Sequence, residues 1–299
     1  MWMSYQEEIS RTKPSVFLFL IDQSGSMAAP FGHADKTGRT PTKAEVVADS
    51  LNATLEEVIN RCSREEGIRD YFEVGIIGYG QSSTASFCWE EQLAGRQIVP
   101  LSEAKRFAGM QAVSEENVVH GKSVTETVEH SIWVKPTAAG GTPMKSALQL
   151  AQQVLESWIQ QHPQSYPPIV INITDGAATD VQGDQDLINA AQAITALTNK
   201  NGSGVLLINC HISARGDSVV VFPSRLEQLP QDSYAQVLFQ MSSVLPPQMN
   251  SVAAEVLGRS ASTSDPIRGM VFNAGAVLLV KFLEIGTRPA MQNMDVVPA

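Results

Sequence analysis

Phe17-Leu18-Phe19-Leu20-Ile21-Asp22-Gln23-Ser24-Gly25-Ser26-Met27 is the stretch from which the fold is read. Large apolar residues run straight into a carboxylate. Two hydroxyls then follow at alternate positions, with a glycine between them. A short continuous apolar run bounded by turn residues reads as a strand buried on both faces, as in parallel sheets. Asp22, Ser24 and Ser26 would then sit at its carboxyl end, where open α/β sheets bind ligands. Hard oxygen groups gathered by a glycine-containing turn suit a small hard cation such as Mg2+.

Outward from this strand, the chain alternates apolar runs with helical periodicity. Thr42 and Glu45 form a capping-box pattern, and Val47, Leu51, Leu55, Val58, Ile59 and Cys62 fall on one face of the helix that follows. Phe72 to Tyr79, Ile169 to Ile173 and Gly204 to His211 read as further buried strands, and Val219 to Phe222 as a short one. Pro143 suits a first helical position. Met144, Ala147, Leu148, Ala151, Val154, Leu155 and Trp158 then make an apolar stripe. Helices are also predicted over Asp186 to Asn199, Ser233 to Ser242, Pro247 to Leu257 and Phe272 to Ile285, the last stopped by Gly286. Residues 81–136 read as an insertion folded onto the sheet edge. Short strands are expected there at Ala85–Glu90, Gln97–Leu101 and Ser131–Lys135, and a short helix at Ser102–Gly109. Strands alternating with helices predict an α/β fold, doubly wound, with a mostly parallel central sheet flanked by helices.

Composition narrows the function classes. The 299 residues are 43% hydrophobic, and the formal charge is −10, with acidic residues scattered. No basic stripe is present, so nucleic acid and anionic membrane surfaces are poor partners. Cys62, Cys88 and Cys210 are far apart and form no C-x-x-C pair, which argues against a zinc site or a disulfide framework. Reduced thiols point to a cytoplasmic protein. Glu7 and Glu8 stand where a signal peptide would be apolar, and no run reaches the ~18 residues of a membrane span.

Three stretches carry the chemistry. Asp22-Gln23-Ser24-Gly25-Ser26 follows the first strand, Gly140-Gly141-Thr142-Pro143 precedes a helix, and Thr174-Asp175-Gly176 follows a later strand. Through Asp22, Asp175, Ser24, Ser26 and Thr142 they offer two carboxylates and three hydroxyls. Mg2+ takes about six oxygens at ~2.0–2.1 Å and usually keeps waters. Such a sphere, incomplete within the protein, can be completed by an outside carboxylate. Taken singly, Asp22 could cap a turn, Ser24 and Ser26 could satisfy backbone amides, Thr142 could be an N-cap and Asp175 a turn former. The three stretches in this order resemble those of von Willebrand factor type A domains, from about Val16 to Ile285. The resemblance implies a single Rossmann-like domain over residues 1–299, with its core at about 14–286 between a short lead-in and a short tail. It implies a metal-dependent adhesion site in which Ser24, Ser26 and Thr142 are hydroxyl ligands and Asp22 and Asp175 act largely through waters. Mg2+ is the expected ion, and Mn2+ suits the same oxygens. It further implies that Thr142 moves into or out of direct coordination when a partner's Asp or Glu binds, with Gly140 and Gly141 giving its loop freedom, and that the final helix shifts with the site.

The expected role is therefore a non-enzymatic adaptor that captures a partner's carboxylate. Without export features the chain is similar to the intracellular bacterial members of the family. Their partners include AAA+ ATPases of the MoxR kind, kinases and phosphatases, in stress and conflict systems such as tellurite-resistance loci. The rival reading is a metal-dependent hydrolase or phosphatase using Asp22 as nucleophile. Asp22 at a strand end resembles the nucleophile of haloacid-dehalogenase-type phosphatases, which need a second Asp two residues on as acid and base, and here Ser24 occupies that position. Nucleotide binding is disfavoured, because Gly78-Tyr79-Gly80-Gln81 lacks the third glycine of a dinucleotide loop and Gly121-Lys122-Ser123 lacks the upstream glycine of a P-loop. His33 and Asp35 are candidates for the rim of the site. Asp180, Asp184 and Asp186 read as solvated or helix-start carboxylates, His211 as a packed or surface histidine, and Arg215-Gly216-Asp217 as a turn.

Overall fold

A computed structural model describes residues 5, 7–34, 38–119, 122–213, 219–256 and 266–292. The opening apolar run forms β1 (Ser15–Asp22), in which all eight residues are buried. Two parallel neighbours enclose it. On one side lies β4 (Phe72–Tyr79), in register Ser15 to Phe72, and on the other β9 (Ile169–Thr174), in register Phe17 to Ile169. Beyond β9 the sheet continues in parallel through β10 (Leu206–Ile212) and β12 (Met270–Ala274). Short antiparallel strands finish both edges. β11 (Val220–Val221) pairs with β12, while β5 (Ser86–Phe87) and β6 (Ile98–Pro100) pair with β4. The eight-stranded sheet is thus mixed, with a parallel centre.

Alternation along β1 divides the core in two. Phe17, Phe19 and Ile21 face α1 (Lys43–Cys62), α6 (Pro247–Val256) and α7 (Ala276–Gln292). Val16, Leu18 and Leu20 face α3 (Met144–Gln161), α4 (Asp184–Thr195) and α5 (Ser233–Met241). Helices therefore cover both faces, as a buried parallel strand requires. The start of α1 follows from its sequence. The Thr42 hydroxyl accepts from the Glu45 amide, and the Glu45 carboxylate accepts from the Thr42 amide. On α3, Met144, Ala147, Leu148, Ala151, Leu155 and Trp158 are buried, while Val154 is half-buried. Each fully buried large side chain contributes about 1.5–3 kcal/mol. Among the described residues, no helix is long and apolar enough to cross a membrane.

Two elements differ from the sequence reading. Phe272 belongs to β12, and the helix begins only at Ala276, after Gly275. Gly286 does not stop it, and α7 runs on to Gln292. A strand and a helix of similar hydropathy had merged into one apolar run, which periodicity alone does not separate. The expected insertion does fold onto the sheet edge through β5 and β6, and a short helix α2 (Leu101–Arg106) follows. It also contains a long ribbon of β7 (Gly109–Val119) and β8 (Lys122–Ile132), which among the described residues pair only with each other, over eleven residues per strand. Its polar sequence gives no alternating apolar signal. A minor hairpin, β2 (Ser63–Arg64) with β3 (Gly67–Ile68), follows α1.

Candidate metal centre

The chain leaves β1 in one direction towards β4 and later fills the opposite side with β9. The crevice between the ends of β1 and β9 is thus a topological switch point, where sheets of this class bind ligands. Asp22 is the last residue of β1, and Asp175 directly follows β9.

Asp22 is 2% exposed, so its carboxylate must be hydrogen-bonded. Oδ1 accepts from the Ser24 amide at 2.8 Å, and Oδ2 accepts from the Thr174 hydroxyl at 2.9 Å. Burial pushes the Asp22 carboxyl above its ordinary value. The hydrogen bonds from Ser24 oppose that rise, and the neighbouring Asp175 charge adds to it. The Ser24 and Ser26 hydroxyls are 3.0 Å apart, and the Ser26 hydroxyl donates to Asp175 Oδ1 at 2.6 Å. Asp175 Oδ2 in turn accepts from Lys43 Nζ at 2.8 Å. Asp22, Ser24, Ser26 and Asp175 are therefore joined in one hydrogen-bonded chain, through the Ser24 amide at the Asp22 end and closed by an ammonium at the other.

Thr142 arrives on a separate loop that the Asp22 turn holds in place. The Gly25 amide donates to the Gly140 carbonyl at 3.0 Å, and the Ala139 amide donates to the Gln23 carbonyl at 2.7 Å. From the other side, the Thr142 amide donates to the Thr179 hydroxyl at 2.8 Å, and the Thr179 amide donates to the Thr142 carbonyl at 2.9 Å. Thr142 is buried, and among the described residues no hydrogen bond joins its hydroxyl to the other four residues. Gly140 has φ +75°, and a Cβ there would lie 2.1 Å from the Gly80 carbonyl oxygen. In this arrangement the glycine serves close approach and a left-handed backbone. The resemblance gave Gly140 and Gly141 the task of freeing the loop; here the loop is bound on both sides.

The donor set suits a hard cation. Every group offered is an oxygen, the donor type such cations prefer. An octahedron with bonds of ~2.1 Å has edges of about 3.0 Å. The Ser24–Ser26 separation of 3.0 Å equals such an edge.

Comparison with known proteins adds the following. No protein-family model matches the chain, and no curated protein matches it. Solved structures that are similar include the vWF domain of the type V pili tip protein Mfa5 from Porphyromonas gingivalis, at 13% identity, with 56% of this chain and 39% of that chain covered and a TM-score of 0.30. The PilB minor pilin from Streptococcus sanguinis is similar at 10% identity over 96% of this chain and 64% of that one, with a TM-score of 0.44. The pilus adhesin RrgA from Streptococcus pneumoniae is similar at 14% identity over 90% and 35%, with a TM-score of 0.29. The chain thus spans 39% of the first of these proteins and 64% of the second.

Lys43 and Thr179 are residues at the site that sequence reasoning missed, and Thr174, quoted with the third stretch, had been given no role there. Lys43 had a signal. The capping box places it in the first turn of α1, where the helix dipole disfavours a cation, so a compensating anion was to be expected. Asp180 accepts from the Lys145 and Ser146 amides and so caps the start of α3 from another segment. Asp184 and Asp186 lie in the first turn of α4. His33 is exposed, and Asp35 lies outside the described residues. His211 is buried, its ring 4.5 Å from that of Phe272 and edge-on to Tyr234 at 5.6 Å. Burial holds its imidazole below the ordinary value. Gly121 and Arg215-Gly216-Asp217 also lie outside the described residues.

Proposed function

We propose that the chain is a von Willebrand factor type A-like, Mg2+-dependent protein-binding module with no catalytic activity of its own. Asp22, Ser24, Ser26, Thr142 and Asp175 would hold the ion, and a partner's Asp or Glu would complete its sphere. The observation that carries this reading is the hydrogen-bonded Asp22–Ser24–Ser26–Asp175 cluster at the switch point, with the Thr142 loop bound against it. When bound, the ion supplies a Lewis-acidic position for a carboxylate. The protein's own residues supply its placement. Thr174 and the Ser24 amide orient Asp22, Thr179 holds the Thr142 backbone, and Gly140 lets that loop approach.

Capture rather than catalysis is favoured by position 24. An aspartyl nucleophile at Asp22 would need an acid–base partner, and the Ser24 hydroxyl is engaged with Ser26 instead. Among the described residues none of the three cysteines is in a disulfide, which fits a reducing, cytoplasmic setting. Within such a setting we place the module as an adaptor in a multiprotein stress or defence system, with an AAA+ ATPase, kinase or phosphatase as the partner class. The net negative charge favours a partner with a basic rim around its carboxylate, mainly through association rate.

Isothermal titration with Mg2+ tests the site. Wild type should bind, and Asp22→Ala should not; equal binding by both would sink the reading. A pull-down in Mg2+ against chelator tests the role. The partner should be lost in chelator and in Asp22→Ala. Turnover of a generic aryl phosphate that disappears in Asp22→Ala would instead establish the hydrolase.

A further inference from the structure

Lys43 stands beside this site with no assigned task. Its Nζ lies 2.8 Å from Asp175 Oδ2, and the two side chains are 11% and 0% exposed. A lysine so deeply placed is rare unless paired. It also opens α1, the end of a helix that repels cations, so neither solvent nor the helix dipole holds it there. The carboxylate does.

We infer that Lys43 is a built-in counter-cation that weakens metal binding when the ion is alone and makes it depend on the arriving carboxylate. This inference rests on the metal-site reading above. Asp22 and Asp175 carry two formal negative charges, and Lys43 returns one positive. A divalent ion then leaves the group with a net positive charge, whereas without Lys43 it would leave the group neutral. The surplus repels the ion and attracts an anion, so metal and carboxylate each strengthen the other's binding, as reciprocal linkage requires. The ammonium also competes directly, since it already occupies a lone pair of Asp175 Oδ2. It has somewhere to go. A cleft of about 470 Å3, lined by Ser26, Lys43, Asp175, His211, Asp232 and Tyr234, opens beside the pair. A partner would therefore engage only where metal and carboxylate are present together.

The test compares wild type, Lys43→Met and Lys43→Arg by isothermal titration with Mg2+, with and without sodium acetate, and by thermal melts in Mg2+ and in chelator. Lys43→Met should bind Mg2+ at least about tenfold more tightly than wild type. Acetate should tighten Mg2+ binding to wild type by a larger factor than to Lys43→Met. Lys43→Arg should behave as wild type. In chelator Lys43→Met should melt below wild type, because a buried charge has lost its partner, and Mg2+ should restore it. Equal Mg2+ affinity in wild type and Lys43→Met would overturn this role while leaving the metal site standing. No Mg2+ binding by any variant would overturn the site itself. Binding by Lys43→Met alone would support both. If Lys43→Met fails to fold in either condition, Lys43→Gln takes its place under the same criteria.

Discussion

The backbone of Gly80 lies against the carbonyl of Gln23 so closely that a Cβ on Gly80 would sit 2.2 Å from the Gln23 carbonyl carbon and 2.6 Å from the Ser24 nitrogen. The turn that presents Ser24 and Ser26 is thus shaped by the absence of a side chain on the neighbouring strand's exit. Gly80→Ala should lose about 1–3 kcal/mol or more through overpacking, read from urea unfolding. Gly176→Ala, where nothing lies within 4 Å of the added carbon, is the control. It should stay within about 0.5 kcal/mol of wild type. Equal losses at the two positions would contradict the packing.

Asn52 on α1 binds the chain where it returns from the ribbon. Its Oδ1 accepts from the Trp133 and Val134 amides at 3.0 and 3.2 Å, and its Nδ2 donates to the Val134 carbonyl at 3.0 Å. Asn52→Leu would leave two amides and a carbonyl unpaired in a buried place. The expected loss is about 2–4 kcal/mol, since each orphaned group costs roughly 1–3 kcal/mol and some regain water. Hydrogen exchange should accelerate at the Trp133 and Val134 amides before it does at β1.

A second polar thread crosses the sheet on the α3–α5 side. The Tyr79 hydroxyl donates to Asn172, Asn172 donates to Asn209, and Asn209 donates to Ser242, at 2.8, 3.0 and 2.9 Å. Tyr79→Phe should cost about 1–2 kcal/mol and Asn209→Leu more, as one removes an end of the thread and the other its middle. Their double mutant should cost less than the sum of the two, measured as a coupling in denaturant melts.

Among the described residues the β7–β8 ribbon pairs with no other strand. Joining Ala112 to Glu129, which are register partners, through a two-residue Asn-Gly turn would shorten it without breaking the sheet. The melting temperature should move by no more than about 2–4 °C, equivalent to ~1 kcal/mol in a domain of this size. A larger fall would mean that the ribbon braces the core.

The parts visible in the sequence are those with a strong local cause. The β1 run had apolar residues at every position and needed two covered faces. Thr42 and Glu45 announced the start of α1. The end of β12 was hidden because Phe272 and Leu279 lie in one largely apolar run; Asn273 and Gly275 between them mark the change. At the site, Asp22 and Asp175 could be picked out by motif. Lys43 depended on a contact across the fold, as did the support that Thr174 and Thr179 give. Asn172 and Asn209 are single polar residues within apolar strands, and only the sheet register sets them side by side.

The position of β1 at the centre of the sheet also has a consequence in time. Asp22 and the Thr174 hydroxyl it accepts from are 152 residues apart in sequence, as distant as any pairing in the sheet centre requires. Contacts of such separation form late, after large loops have closed. During synthesis the Asp22 turn leaves the ribosome long before Thr174 and Asp175 exist to meet it. A chain halted before residue 175 carries the motif but no second carboxylate to place beside it. The assembled cluster therefore requires a chain that extends at least through residue 175, and copies halted earlier lack it whatever else they fold.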